Sequence, residues 1–174
     1  FERWTPGIEA RSIFDLNFFG RPGRLIAGAD LSFQNDDRQR FDNNNGTRGD
    51  KTLDRRETVQ SIGPYLRAEW RLIPRLEFVS GIRYDRIRFE LDDAFLDDGD
   101  QSDDRTFSEF SGTVGSIFHL NESTHIYANV ASAFETPTTT ELAKDPNGGA
   151  GFNSDLKPQH SLSYEVGLKR RPLG

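Results

Sequence analysis

The fold of this chain is decided by residues 127–169, which begin Tyr127-Ala-Asn-Val-Ala-Ser-Ala-Phe134-Glu-Thr-Pro137-Thr-Thr-Thr-Glu-Leu142 and end Asn153-Ser-Asp-Leu-Lys-Pro158-Gln-His-Ser-Leu-Ser-Tyr164-Glu-Val-Gly-Leu-Lys169. Both ends of the stretch alternate apolar and polar residues with the period of two that marks a half-buried strand. Pro137 has no N–H to donate and blocks continued sheet pairing. The stretch therefore predicts two strands joined by a long polar connection.

The same alternation recurs upstream and predicts five more strands, so that the chain has about seven. In each of them Leu, Phe, Val and Ala occupy one face, and Asp, Asn, Ser, Gly, Arg and Glu occupy the other. No segment shows a helical period over a useful window. The predicted strands cover residues 11–19, 25–34, 58–70, 76–91, 106–118, 127–134 and 161–169.

The connections between these strands alternate in length. Short ones at 20–24, 71–75 and 119–124 alternate with long polar ones at 35–57, 92–104 and 135–160. An up-and-down antiparallel meander would place all the long connections at one end, as in outer-membrane barrels. A mean hydropathy of −0.70 fits such a barrel, because its strands carry one polar face. The prediction is an all-β meander that forms part of a transmembrane β-barrel, although a soluble sheet with one face on a core shows the same alternation.

The two motifs of the deciding stretch resemble those of the TonB-dependent outer-membrane receptors. The first is an aromatic strand that ends in Phe, followed by x-x-Pro-Thr-x-x-Glu-Leu, and the second contains Leu-Lys-Pro and Tyr-Glu-x-Gly-Leu-Lys. A weaker echo is Gly81-Ile-Arg-Tyr-Asp85. The sequence departs from the family pattern at Gln159, where Glu is usual. The motif residues, expected to have a structural role, are Phe134, Pro137, Thr138, Glu141, Leu142, Asn153, Leu156, Lys157, Pro158, Ser161, Tyr164, Glu165, Gly167 and Leu168.

The resemblance implies that residues 1–174 are one segment of a receptor barrel of more strands, with no plug domain in the chain. It implies residence in the outer membrane of a Gram-negative bacterium, in contact with outer-membrane lipid. It also implies uptake of a scarce ligand, most often a ferric siderophore or similar chelate, powered by the TonB complex through a plug region outside this chain. About seven strands leave two unpaired edges, through which an isolated fragment is expected to self-associate.

Ligand contacts in such receptors come from the long loops and the upper lumen. Five arginines fall in those regions and are candidates to meet an anionic chelate, although pairing with nearby carboxylates is the more ordinary role for most of them. No cofactor is implied. The five are Arg38, Arg40, Arg48, Arg67 and Arg83.

Residues 91–104 contain seven Asp and no Lys or Arg, and oxygen-rich flexible segments are where Ca²⁺ binds. Asp97, Asp98 and Asp100 are the candidate ligands, but they lack the alternating spacing of an EF-hand loop. A solvated loop is the simpler interpretation, and no other metal site is predicted.

The sequence carries no catalytic motif, such as Gly-x-Ser-x-Gly or His-Glu-x-x-His, and predicts that the protein is not an enzyme. It shows no basic face with interleaved aromatic residues, so nucleic acid is not an expected partner. Two alternatives stay open. One is a complete small barrel of about eight strands that acts as an adhesin or a membrane enzyme, and the other is a soluble β binding module.

Overall fold

The computed structural model describes residues 1–18, 20–144 and 149–171, and these are almost entirely β-structure. A single short helix, α1 (Thr139–Leu142), interrupts the strands. Among the described residues, no helix is long and apolar enough to span a bilayer. The strands are β1 (Glu2–Trp4), β2 (Gly7–Phe18), β3 (Arg21–Asn44), β4 (Thr47–Ile73), β5 (Leu76–Asp93), β6 (Asp103–His119), β7 (Thr124–Glu135) and β8 (Gln159–Arg170).

All of these strands belong to one antiparallel sheet. From β3 to β8 each strand pairs with its neighbour in sequence, while β1 and β2 lie end to end along the free side of β3. The seven long strands correspond to the seven predicted from the sequence, and β1 is an addition. The sheet is an open up-and-down meander, with β1 and β2 at one edge and β8 at the other.

The prediction of a long irregular loop over residues 35–57 is wrong. β3 and β4 continue through this region as a paired hairpin whose tip is Asn45-Gly46. Both tip residues have positive φ, 52° and 89°, as a type I′ hairpin turn requires. Polar and charged side chains occupy both faces of this hairpin, so no apolar period reveals its strands. Residues 1–10, which the sequence leaves without a pattern, likewise contain β1 and the start of β2.

The two ends of the sheet differ as the connection lengths predict. Turns of a few residues join β2 to β3, β4 to β5 and β6 to β7 at one end, which we call the short-turn end. The first of these turns is shorter than predicted, because β3 begins at Arg21. The β3–β4 hairpin and the connections 94–102 and 136–158 lie at the other end, which we call the long-loop end. The predicted strand end at Phe19 lies outside the described residues.

The sheet has an apolar face and a polar face, and the apolar one is uncovered. Leu31, Ile62, Ile82, Phe110 and Val166 are between 42% and 78% exposed. No second layer of the described chain packs on this face. A soluble sheet of this kind would need such a layer. The apolar face of the described sheet therefore has no internal core to pack against.

Candidate ligand-binding site

The connection between β7 and β8 folds onto the polar face at the long-loop end. It begins with α1, whose N-terminus is a capping box. The backbone N–H of Thr138 donates to the Glu141 carboxylate at 2.8 Å, and the Glu141 N–H donates to the Thr138 hydroxyl at 3.3 Å. This exchange satisfies two helix donors that would otherwise lack partners. The hydrogen bonds from Thr138 lower the pKa of Glu141 below its usual value.

The connection carries its own apolar contacts. Leu142 is fully buried, and Phe152 is 7% exposed. They pack against Phe89, Leu91 and Phe107 of β5 and β6, and Leu156 lies beside them. These residues form the apolar cluster of the molecule, which sits on the otherwise polar face. Burial of such side chains is worth about 1.5–3 kcal/mol each, so the described parts of the connection, residues 136–144 and 149–158, are packed against the sheet.

Arg105 of β6 fastens the second half of the connection. Its guanidinium donates to the backbone carbonyls of Asn153, Ser154 and Leu156. Asp103, on the same strand and face, accepts from the Phe152 N–H at 2.8 Å. The Asn153 N–H in turn donates to the Leu142 carbonyl at 2.6 Å. Polar and apolar contacts together hold this segment over the polar face of β5 and β6.

Most of the family-motif residues lie in this packed connection or at the start of β8. Pro137 and Thr138 line the cavity described below, and Lys157 is exposed just before Pro158. The Tyr127 hydroxyl donates to Glu165 at 2.9 Å, and a side chain at Gly167 would collide with the same ring. Tyr127 therefore faces the polar side of the sheet. Phe134 is half-buried opposite His160, whereas Tyr164 is 73% exposed on the apolar face.

A cavity of about 450 Å³ opens between α1 and the polar face of β3 and β4. Arg38 lies in its wall and donates to Glu57 at 2.8 Å and to the Thr140 hydroxyl at 3.1 Å. Arg55 approaches the same Glu57 carboxylate at 2.6 Å. Arg3 binds Asp36 through two contacts of 2.7 and 2.6 Å. This ion-paired cluster contains three arginines and two carboxylates, which leaves it one positive charge in excess.

The other four candidate arginines do not converge on this cavity. Arg40 is exposed on β3, and Arg48 stacks its guanidinium 3.3 Å from the Phe41 ring centroid near the hairpin tip. Arg67 pairs with Glu69 at 2.8 Å in the half of β4 toward the short-turn end. Arg83 is held by two carboxylates, those of Asp30 and Asp85.

Three residues of the site escaped the sequence analysis, namely Arg3, Arg55 and Arg105. Arg3 falls in a stretch that shows no period. Arg55 falls in the segment that was predicted to be a loop. The partners of Arg105 are backbone carbonyls, which leave no trace in a sequence. Only the Asn45-Gly46 pair offered a signal, since Asn-Gly between strands marks a tight hairpin and so predicts that Arg55 lies opposite β3.

The acidic connection 94–102 keeps its Asp residues in solvent. Asp97, Asp98 and Asp100 are all exposed. Asp100 accepts from the Ser102 N–H at 2.9 Å, and hydrogen bonds from the Ser102 side chain and backbone lower the pKa of Asp100. Within the ranges 1–18, 20–144 and 149–171, no three His, Asp or Glu side chains are grouped so that they could hold a metal ion. Calcium binding by these Asp residues stays a prediction.

Comparison with known proteins places the chain in a family. The family model described as TonB dependent receptor-like, beta-barrel matches residues 2–174. The ferric citrate transporter FecA superposes with a TM-score of 0.79 at 17% identity, over 97% of this chain and 25% of that one. The copper transporter OprC gives 0.74 at 20% identity, over 98% and 27%. The siderophore receptor PiuA from Acinetobacter baumannii gives 0.69 at 19%, over 98% and 29%.

At these identities the solved structures support the fold, and the chain spans about a quarter of their length. The open meander, its alternating connections and its uncovered apolar face are those of a segment of a transmembrane β-barrel. The match to the family model extends over nearly every residue. The chain belongs to the TonB-dependent receptor-like β-barrel family.

Proposed function

We propose that the chain is part of an active-transport receptor in the outer membrane of a Gram-negative bacterium, and that the receptor takes up a ferric siderophore or a similar anionic chelate. The family is one of transport receptors and not of enzymes, as the sequence predicts. Solved relatives include a ferric citrate transporter and a siderophore receptor. Energy for uptake would come from the TonB complex, through a part of the receptor outside this chain.

In this proposal the apolar face meets lipid and the polar face lines the lumen. An Arg or Lys on the lipid side costs about 2–4 kcal/mol at the bilayer midplane. The described apolar face carries Leu, Ile, Phe and Val between its ends. On the opposite face, Arg83 forms ion pairs with both Asp30 and Asp85. The long-loop end would then face the outside, where the ligand arrives.

The single observation that carries the ligand class is the cavity beside Arg38. It lies on the lumenal face at the outer end, under the packed β7–β8 connection, and it is lined by Arg3 and Arg38 together with Asp36 and Glu57, while Arg55 contacts Glu57 from outside the lining. A planar guanidinium offers paired donors that suit carboxylate and catecholate oxygens. Arg3 and Arg38 both stand in the cavity wall, and Arg38 is the candidate because it also contacts α1 through the Thr140 hydroxyl.

No observation favours the two alternative functions, a soluble β binding module and a complete small barrel of about eight strands. A soluble binding module would leave a row of large apolar side chains in water. A small complete barrel would have to pair its first and last strands, but β2 and β8 have no contact in the described sheet.

The test is ligand binding by the parent receptor that contains this chain. Purified wild type and Arg38→Gln are titrated with ferric citrate and with a ferric catecholate. Hydrogen bonds to charged groups contribute about 1.5–3 kcal/mol, so the variant should bind its preferred chelate roughly tenfold or more weakly. Arg56→Gln is the matched control, since Arg56 is the neighbour of Arg55 on the opposite face and is 57% exposed. Equal affinities of wild type and Arg38→Gln for every chelate bound would refute the assignment.

A further inference from the structure

Two histidines face each other beside the turn between β6 and β7. His119 is the last residue of β6, and His125 is the second residue of β7. The two are directly opposed in the antiparallel register. The His119 N–H donates to the Arg75 carbonyl at 2.8 Å, on the β5 side of the strand. The two histidines therefore form a non-hydrogen-bonded pair, the kind in which cross-strand side chains come closest.

The two imidazole rings have the spacing of a chelating pair. Their centroids are 4.5 Å apart, and their planes cross at 78°. An imidazole nitrogen binds Zn²⁺ at about 2.0–2.1 Å, so two rings at neighbouring coordination positions of one ion have centroids roughly 4.5–5 Å apart. The observed separation lies at the near end of that range.

One nitrogen of each ring is buried without a hydrogen-bond partner. In the part of the chain that the structure describes, these atoms are His119 Nε2 and His125 Nδ1. Buried polar atoms of this kind are uncommon in folded proteins, and each requires an explanation. The nitrogen of a neutral imidazole is the commonest metal ligand in proteins. A metal ion between the rings would give both atoms a partner.

The charge beside the pair favours a cation. Glu77 of β5 lies on the same face, and its Oε1 is 3.2 Å from His119 Nε2 without the alignment of a hydrogen bond. The same carboxylate oxygen accepts from Arg71 at 2.8 Å. Arg71, and Lys169 opposite His125 on β8, are both exposed, so water weakens their repulsion of a cation. Glu77 is 34% exposed, and its attraction is screened less.

The protein supplies two ligands to such a site, and water supplies the others. Within residues 1–18, 20–144 and 149–171, no group of three or more His, Asp or Glu side chains could hold a metal ion together. Glu77 therefore contributes charge and not a third bond. Imidazole is a preferred ligand of Zn²⁺, Ni²⁺ and Cu²⁺, whereas Ca²⁺ and Mg²⁺ take oxygen ligands. The pair is thus suited to the divalent transition metals.

We propose that His119 and His125 chelate one divalent transition-metal ion, and that this ion links β6 to β7 at the short-turn end. The site binds Cu²⁺ more tightly than Ni²⁺ or Zn²⁺, following the general order of affinities. It lies on the polar face, at the end opposite to the cavity beside Arg38. The proposal goes beyond the uptake of a chelate and does not depend on it, because the ligand is the metal ion alone.

Copper titration of the parent receptor, purified in detergent and stripped of metal with EDTA, tests the proposal. At limiting free Cu²⁺, wild type should bind one equivalent more than His119→Gln or His125→Gln. Each variant should bind that equivalent roughly tenfold or more weakly, since even the loss of an outer partner of a metal ligand costs about 10–100-fold in affinity. Electron paramagnetic resonance of the copper bound to wild type should show coupling to two imidazole nitrogens.

His160→Gln is the matched control. His160 is the third histidine of the chain and lies at the long-loop end of β8, so this variant should bind copper as wild type does. Equal copper binding by wild type, His119→Gln and His125→Gln would overturn the proposal, as would an equal loss in His160→Gln. The absence of a two-nitrogen copper signal in wild type would overturn it whatever the variants do.

Two further measurements separate this site from folding and from the chelate cavity. Bound Cu²⁺ should raise the midpoint of the heat-modifiable transition of wild type, because a ligand of the folded state stabilises that state. The midpoint of the double variant His119→Gln/His125→Gln should not respond to copper. Arg38→Gln should bind copper as wild type does while its affinity for the chelate falls, so failure of the proposed function and failure of the metal site give different results.

Discussion

At the scale of single residues, Gly63 and Arg83 depend on each other. Arg83 reaches across the polar face to Asp30 and also binds Asp85 on its own strand. Its guanidinium occupies the space that a side chain at position 63 would need. The guanidinium has little freedom to move away, because both carboxylates hold it. Glycine at position 63 of the strand permits the close approach of the Arg83 guanidinium to the backbone.

We therefore expect Gly63→Ala to destabilise the barrel by about 1–3 kcal/mol, the usual cost of overpacking. The midpoint of the heat-modifiable transition of the parent receptor measures this change. Gly81→Ala is the matched control, since its nearest neighbour would be at 3.4 Å, an ordinary contact. A midpoint for Gly63→Ala at or above that of Gly81→Ala would contradict the argument.

The residue scale is also where prediction from sequence works least well. Arg83 is a plausible ligand residue until the pairing of β3 with β4 and of β4 with β5 brings Asp30 to it. Arg38 remains a candidate ligand residue because the hairpin extends β3 and places Arg38 beside α1. Which arginine is neutralised depends on register across several strands, and a single sequence does not specify that register.

Among the elements, the β7–β8 connection is the one whose order depends on few contacts. Arg105→Gln removes the donors that reach three carbonyls of this segment. We expect faster hydrogen–deuterium exchange of residues 149–158, roughly tenfold or more for the Asn153 amide, because lost contacts favour local opening. Arg56→Gln is the control on the other face. Unchanged exchange in Arg105→Gln would show that the segment is held without the contacts of Arg105.

The capping box of α1 gives the same connection a dependence on pH. The pKa of Glu141 is lowered by the hydrogen bonds from Thr138, so the carboxylate stabilises the folded form above its ordinary pKa. This contribution is lost as the pH falls through the lowered pKa. Exchange of residues 136–144, corrected for intrinsic rates, should therefore rise in acid. Glu141→Gln can still cap but does not titrate, so its corrected exchange should not show this rise.

The β3–β4 hairpin shows why one element was missed. Alternation reveals a strand only when one face is apolar. In residues 35–57 both faces carry charged and polar groups, such as Asp36 and Arg38 on one face and Asp37 and Arg56 on the other. Backbone pairing continues regardless up to the turn at Asn45-Gly46, through two register shifts between Arg40 and Asn43. The seven strand cores, by contrast, were predictable because each has an apolar face.

For the molecule as a whole, the free edges are the vulnerable feature. Within residues 1–18, 20–144 and 149–171, β8 pairs only with β7, and β2 pairs only with β3. An unpaired edge is a template for another chain. We expect residues 1–174 alone, refolded in detergent, to form concentration-dependent oligomers by sedimentation velocity. The parent receptor should sediment as a barrel that does not associate through these strands, and a monomeric fragment at all concentrations would contradict the expectation.

The overall architecture was the most predictable level. The alternation of short and long connections, together with the motifs around Pro137 and Pro158, sufficed to predict the meander and the family. That information is spread over the whole chain, so a wrong assignment of one segment did not alter it. The packed β7–β8 connection was not predictable in this way, since its contacts join residues such as Leu142 and Phe107 that share no local pattern.

If the barrel stands in the outer membrane as proposed, the length of the β3–β4 hairpin determines how far its tip extends from the bilayer. Asn44 lies thirteen positions beyond Leu31 on the same strand, which is about 44 Å of extended chain. The Asn45-Gly46 tip would then extend above the bilayer and be accessible to an antibody or a phage. A short peptide epitope inserted between these two residues should be stained on intact cells without loss of the folded barrel, because exposed tips tolerate insertion.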